Sequence, residues 1–116
     1  MEISEINGLQ SERRNASRFE IVAACRILAS DGTEVVADVA DISLSGVGIR
    51  LTQSLAFGCR YMLAIEPRHN SVHRLNALGT VAYCELRGSM FRIGISFVDI
   101  DPRSRLRLEE LENTLN

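Results

Sequence analysis

The chain has 116 residues, enough for one domain with one modest core, and 46% apolar with 24% charged residues is the balance of a folded chain rather than a disordered one. No apolar run approaches the ~18 residues a membrane-spanning helix needs, and the start, Met1-Glu2-Ile3-Ser4-Glu5, has neither the basic nor the apolar region of a secretory signal. The net charge of −2 excludes a polyanion binder acting through its bulk field, so the expectation is a cytoplasmic protein with no membrane or nucleic-acid partner.

Residues 1–18 are polar and without periodicity, and they read as a flexible arm ahead of a domain over 19–116. From Phe19 the apolar residues Phe19, Ile21, Ala23, Cys25 and Ile27 alternate, the period of a half-buried strand. Asp31-Gly32 is a hairpin signal, because both residues tolerate positive φ. A second strand is expected from Thr33 to about Ala40, then a turn over Asp41 to Gly46, a third strand from Val47 to Leu51 and a fourth from Arg60 to Glu66. A fifth is expected from about Val72 to Glu85, with Gly79 marking a bend or bulge. After the tight turn at Arg87-Gly88-Ser89, Phe91, Ile93, Ile95 and Phe97 give the sixth strand. Short strands joined by turns point to a sandwich or a barrel, and closure would remove exposed edges.

The end of the chain differs. Asp101 can cap a helix, Pro102 suits its first turn, and Leu108, Leu111 and Leu115 recur at helical spacing. Arginines sit early in this helix and Glu110 and Glu112 late, against the macrodipole, so it depends on docking its leucines.

Little here points to catalysis. Cys25, Cys59 and Cys84 are odd in number, widely spaced and set among apolar neighbours, so they read as reduced thiols. They share no ligand spacing with His69 or His73, and no metal site is expected. No nucleophile with a base and no paired carboxylates are recognisable, so no enzyme activity and no catalytic residue are expected.

All 13 basic residues are arginine. Arg13, Arg14 and Arg18 cluster in the arm, and Arg103, Arg105 and Arg107 lie on the helix, where a solvated face is the ordinary reading and a partner surface the alternative. Alone, the arm cluster has an equally ordinary reading, and Asp41-Ile42-Ser43-Leu44-Ser45-Gly46 alone reads as an Asx-turn before a strand.

Together the two stretches resemble the signature motifs of the PilZ domain family, Arg-x-x-x-Arg and Asp/Asn-x-Ser-x-x-Gly. Arg14 and Arg18 match the first; Asp41, Ser43 and Gly46 match the second. Gly79-Thr80-Val81-Ala82-Tyr83, and Phe91 to Phe97 with the helix that follows, are similar to the family's later strands and closing helix. The likeness runs from about residue 12 to residue 115.

The resemblance implies a mainly β fold, a six-stranded antiparallel barrel with one C-terminal helix. It also implies a receptor for cyclic di-GMP, with no other cofactor. Arginine suits that ligand, since its planar fork can bond a phosphate, or O6 and N7 of guanine, and its flat face stacks on a base. A carboxylate at Asp41 accepts from guanine N1–H and N2–H₂. Ser43 can bond ligand or fix the turn, and Gly46 allows close backbone approach or positive φ. Arg13 would serve a second ligand molecule of a stacked pair, and Tyr83 a stacking edge. The expected consequence is that the ligand orders the arm against the barrel and changes a surface met by a protein partner of unknown identity. The alternative is a ligand-independent adaptor of the same fold, against which the intact motif residues argue.

Overall fold

The computed structural model describes residues 18–68 and 74–115, with side chains as far as Asn113. Arg13, Arg14, His69, His73 and the Leu115 side chain, all singled out above, lie outside the described residues.

Six strands form a closed antiparallel barrel: β1 (Ala23–Leu28), β2 (Glu34–Ser43), β3 (Gly46–Leu51), β4 (Arg60–Pro67), β5 (Leu75–Arg87) and β6 (Met90–Ile100). Around the barrel the order is β1-β2-β3-β6-β5-β4, and β4 pairs back onto β1. Helix α1 (Pro102–Leu115) follows. This is the fold class expected from the resemblance.

Alternation builds the interior. Cys25 and Ile27, Ala37 and Val39, Val47 and Ile49, Leu63 and Ile65, and Ile93 and Ile95 are buried from successive strands. Outside, Glu66 bridges Arg26 and Arg74, and Arg26 also reaches Glu34. These exposed pairs tie the outer faces of β4, β1 and β2 at little net gain in free energy.

Several boundaries differ from the sequence reading. The first strand begins at Ala23, not Phe19. Phe19 instead forms a lone antiparallel bridge, its N–H donating to Ile42 O and Ile42 N–H donating back, both at 2.9 Å. Asp41 to Ser43 close β2 rather than lying in a turn, because their ladder partners Gly48, Val47 and Gly46 are at hand and only Leu44 and Ser45 turn. The fifth strand begins at Leu75 among the described residues, and Val72, where its start was expected, lies outside them. A register shift beside Gly79 fits the bulge expected there.

The helix docks through a polar joint as well as leucines. Asp101 Oδ2 accepts from Ser104 N at 3.2 Å, which caps the first turn. Ser104 Oγ accepts from Asn76 N at 2.8 Å, which fastens that turn to the start of β5. Ser104, Leu108 and Leu111 are the buried side of the helix, and Arg103 and Arg105 are exposed.

The cysteines are free thiols. Burial pushes the Cys25 thiol up to about 12, whereas Cys59 is exposed. Since the thiolate is the nucleophile, a timed N-ethylmaleimide pulse read by mass spectrometry should label Cys59 first and Cys25 only after unfolding. The folded state holds the Cys25 proton more tightly than the unfolded chain does. Its contribution to stability is therefore intact below the ordinary value of 9.0 and falls as pH rises towards 12.

Candidate functional site

Asp41 is the centre of the site, and a bulge decides where it points. In β2 the inward residues are Val35, Ala37 and Val39, so strict alternation would send Asp41 into the core. The pairing of β2 with β3 slips between Val39 and Asp41, leaving Ala40 as the extra residue. The slip restores Ile42 to the interior and turns Asp41 to the outer face, a familiar use of a bulge.

The same device acts on the far side. In β5, Leu75, Ala77 and Val81 face inward, which would make Tyr83 a core residue. A slip between Val81 and Tyr83 leaves Ala82 over, and Tyr83 lies outside, 37% exposed.

Strand register then sets these two side chains in one row. Asp41 pairs with Gly48, Gly48 with Gly94, and Gly94 with Tyr83. The middle of the row carries no side chains, so its ends can fold inwards over the glycines. The Asp41 carboxylate lies above Gly48, where a Cβ would stand 2.7 Å from Oδ1. The Tyr83 ring lies above Gly94, where a Cβ would collide with Cε2. The result is a shallow platform of backbone, walled by a carboxylate at one end and an aromatic ring at the other.

Two arginines hold the carboxylate. Arg18 Nη1 donates to Asp41 Oδ1 at 2.6 Å, and Arg92 Nη2 donates to Oδ2 at 2.6 Å. These are short, charge-assisted bonds. Arg18 is brought there by the Phe19–Ile42 bridge. Arg92 comes from the next outward position of β6, opposite Arg50. The Arg92 side chain is 25% exposed against 47% for Arg18, so it is the more firmly embedded of the two.

Ser43 and Gly46 have evident local tasks. Ser43 is fully buried; its Oγ accepts from Ser45 N at 3.1 Å and lies 3.0 Å from Ser45 Oγ. The turn-fixing carried by a side chain thus belongs to Ser43, while the Asp41 carboxylate is given to the two arginines. Gly46 does not have positive φ. It is needed for close approach, because a Cβ there would collide with the carbonyl oxygen of Ile95.

The structure therefore brings together Arg18, Asp41 and Tyr83 on one outer face, with Ser43 and Gly46 at the adjoining turn. Arg92, Gly48 and Gly94 were missed by sequence reasoning. Their signal was present: isolated glycines within strands mark close approach, and the inward run Phe91, Ile93, Ile95 leaves Arg92 and Gly94 outward. Among the described residues no cluster of three or more His, Cys, Asp or Glu could hold a metal, and no helix is long and apolar enough to cross a membrane.

A closed barrel with a charged, glycine-floored face on its outside defines a small β-domain whose candidate site stands on the outer face of its strands. The chain belongs to the PilZ domain family, whose model matches residues 12–113. Among solved structures it is similar to YcgR of Escherichia coli in complex with c-di-GMP, at 19% identity and TM-score 0.74, covering 90% of this chain and 46% of that one. It is also similar to the Bacillus subtilis inhibitor of motility MotI, at 18% identity and TM-score 0.75, covering 91% of this chain and 53% of that one. The c-di-GMP complex of MrkH from K. pneumonia has 17% identity and TM-score 0.77, covering 90% of this chain and 53% of that one. The chain thus spans about half the length of these neighbours. The comparison with curated proteins returned no match.

Proposed function

We propose that this domain is a receptor for cyclic di-GMP. The observation that carries the reading is the Asp41 carboxylate, presented outward by the Ala40 bulge above Gly48 and flanked by arginines. A carboxylate beside guanidinium groups suits a ligand that is both a guanine base and a phosphodiester. That two neighbours of the same fold, YcgR and MrkH, are c-di-GMP complexes supports it.

In this reading Arg18 leaves Asp41 for the ligand, and Arg14 and Arg13 join it. Four residues span at most ~14 Å, so Arg14 can close over the same face that Arg18 occupies. Ordering of the arm against the barrel creates a surface that a protein partner reads, at a cost in net affinity. Tyr83 supplies a stacking edge at the other end of the platform, Ser43 and Gly46 shape the adjoining turn, and about two ligand molecules bind as a stacked pair.

Isothermal titration calorimetry with cyclic di-GMP tests the reading, with GTP and cyclic di-AMP as controls. Saturable binding of about two ligands per chain, absent with cyclic di-AMP, is the expected result. No heat and no thermal stabilisation at hundreds of micromolar ligand would overturn it and favour an adaptor that works by protein contact alone.

A further inference from the structure

We propose that Arg92 is a specificity residue for the base: with Asp41 it forms a side-by-side donor and acceptor pair above Gly48 that reads the pairing edge of guanine. The inference rests on the receptor reading and assigns a role to a residue outside both sequence motifs.

Three observations carry it. First, both head groups converge on one glycine. A Cβ at Gly48 would stand 2.7 Å from Asp41 Oδ1 and 3.5 Å from Arg92 Nε. Second, Arg92 uses only part of its fork. Nη2 serves Asp41 Oδ2, while Nε–H is buried with no acceptor. A buried donor without a partner is costly, and a pure structural ion pair would gain from satisfying it. Third, the two arginines on Asp41 are unequal. Arg18 is the more exposed and can leave at little cost, which opens Oδ1 while Arg92 stays.

The chemistry of that opened pair is directional. Guanine presents one acceptor, O6, beside two donors, N1–H and N2–H₂. A carboxylate next to an unpaired N–H is its complement. Adenine offers a donor, N6–H₂, where guanine has O6, so it would set donor against donor at Arg92 and leave Asp41 without its partner. A site built to hydrogen-bond polar groups rejects an analogue that leaves them unpaired.

The test is calorimetry on wild type, Arg92→Met and Arg92→Lys, with cyclic di-GMP and cyclic di-AMP, and a thermal melt of each protein as a check of folding. Methionine keeps the length of the stem and removes every donor. Lysine keeps the charge and the Asp41 pair but has no second donor in a fixed fork. Arg92→Met should weaken cyclic di-GMP by about 10- to 100-fold without weakening cyclic di-AMP, so the ratio between them narrows. Arg92→Lys should narrow it as well. A loss equal for both ligands would mean that the guanidinium acts only through its charge or through the fold, and the proposal fails. Arg92→Met within twofold of wild type, or Arg92→Lys equal to wild type, also overturns it. Where cyclic di-AMP stays below detection for every form, the Arg92→Lys affinity for cyclic di-GMP decides alone. If wild type itself does not bind, the receptor reading falls and this proposal with it, an outcome separate from the others.

Discussion

Asp41→Ala should reduce affinity for cyclic di-GMP by about 100-fold or more, a loss of about 3 kcal/mol. The carboxylate is the one acidic group on the platform, set in a row with Gly48, Gly94 and Tyr83, so no neighbour along that row can replace its acceptors. The same change removes the partner of Arg92, whose Nε–H is already buried and unpaired. Breaking a half-buried pair from one side is more costly than losing an exposed one, so a fall in melting temperature should accompany the loss of affinity. Arg18→Ala separates the two effects. It removes an exposed cation and leaves the Arg92–Asp41 pair intact, so ligand affinity should fall with little change in the melt. Calorimetry and a thermal melt on both variants check this. Unchanged affinity in Asp41→Ala would remove the central residue of the proposed site.

Gly46→Ala should destabilise the barrel by about 2 to 3 kcal/mol, within the range for overpacking a tight site. The obstacle to a Cβ is the carbonyl oxygen of Ile95, a backbone atom in the β3–β6 ladder that cannot turn aside. Phe97 N–H also donates to Ser45 O at 2.9 Å, so the turn before Gly46 is tied to the same strand. Gly48→Ala makes the contrast. There the obstacle is the far end of the Asp41 side chain, which can swing away. The Gly48 variant should lose ligand affinity with a smaller fall in stability, since moving Asp41 disturbs its pair with Arg92, whereas the Gly46 variant should lose stability first. Chemical denaturation of the two variants, with calorimetry on whichever remains folded, checks the pair. Equal stability of both would show that the close approach at Ile95 does not constrain the fold.

Much of the architecture was legible because it is written locally. Alternation at Cys25 and Ile27, or at Ile93 and Ile95, marks strands whatever they pair with, and the spacing of Leu108 and Leu111 with Asp101 ahead marks a capped helix. The two short motifs were legible as a resemblance, and the family match over residues 12–113 agrees with it. Ser104 was missed as a helix contact because its partner, Asn76 N, lies in another element.

By themselves, then, the residues determined which segments are strands, where the helix begins and which motifs the chain carries, since each depends on neighbours a few positions apart. Only the tertiary structure decided which way Asp41 and Tyr83 point. Their parity is set by the extra residues Ala40 and Ala82, and an extra residue exists only relative to a partner strand. It also decided that Gly48 faces Gly94 and that Arg92 reaches Asp41 across 51 positions of chain. Pairing between β3 and β6 is non-local, so closure of the barrel, and not the order of residues along it, assembles the platform.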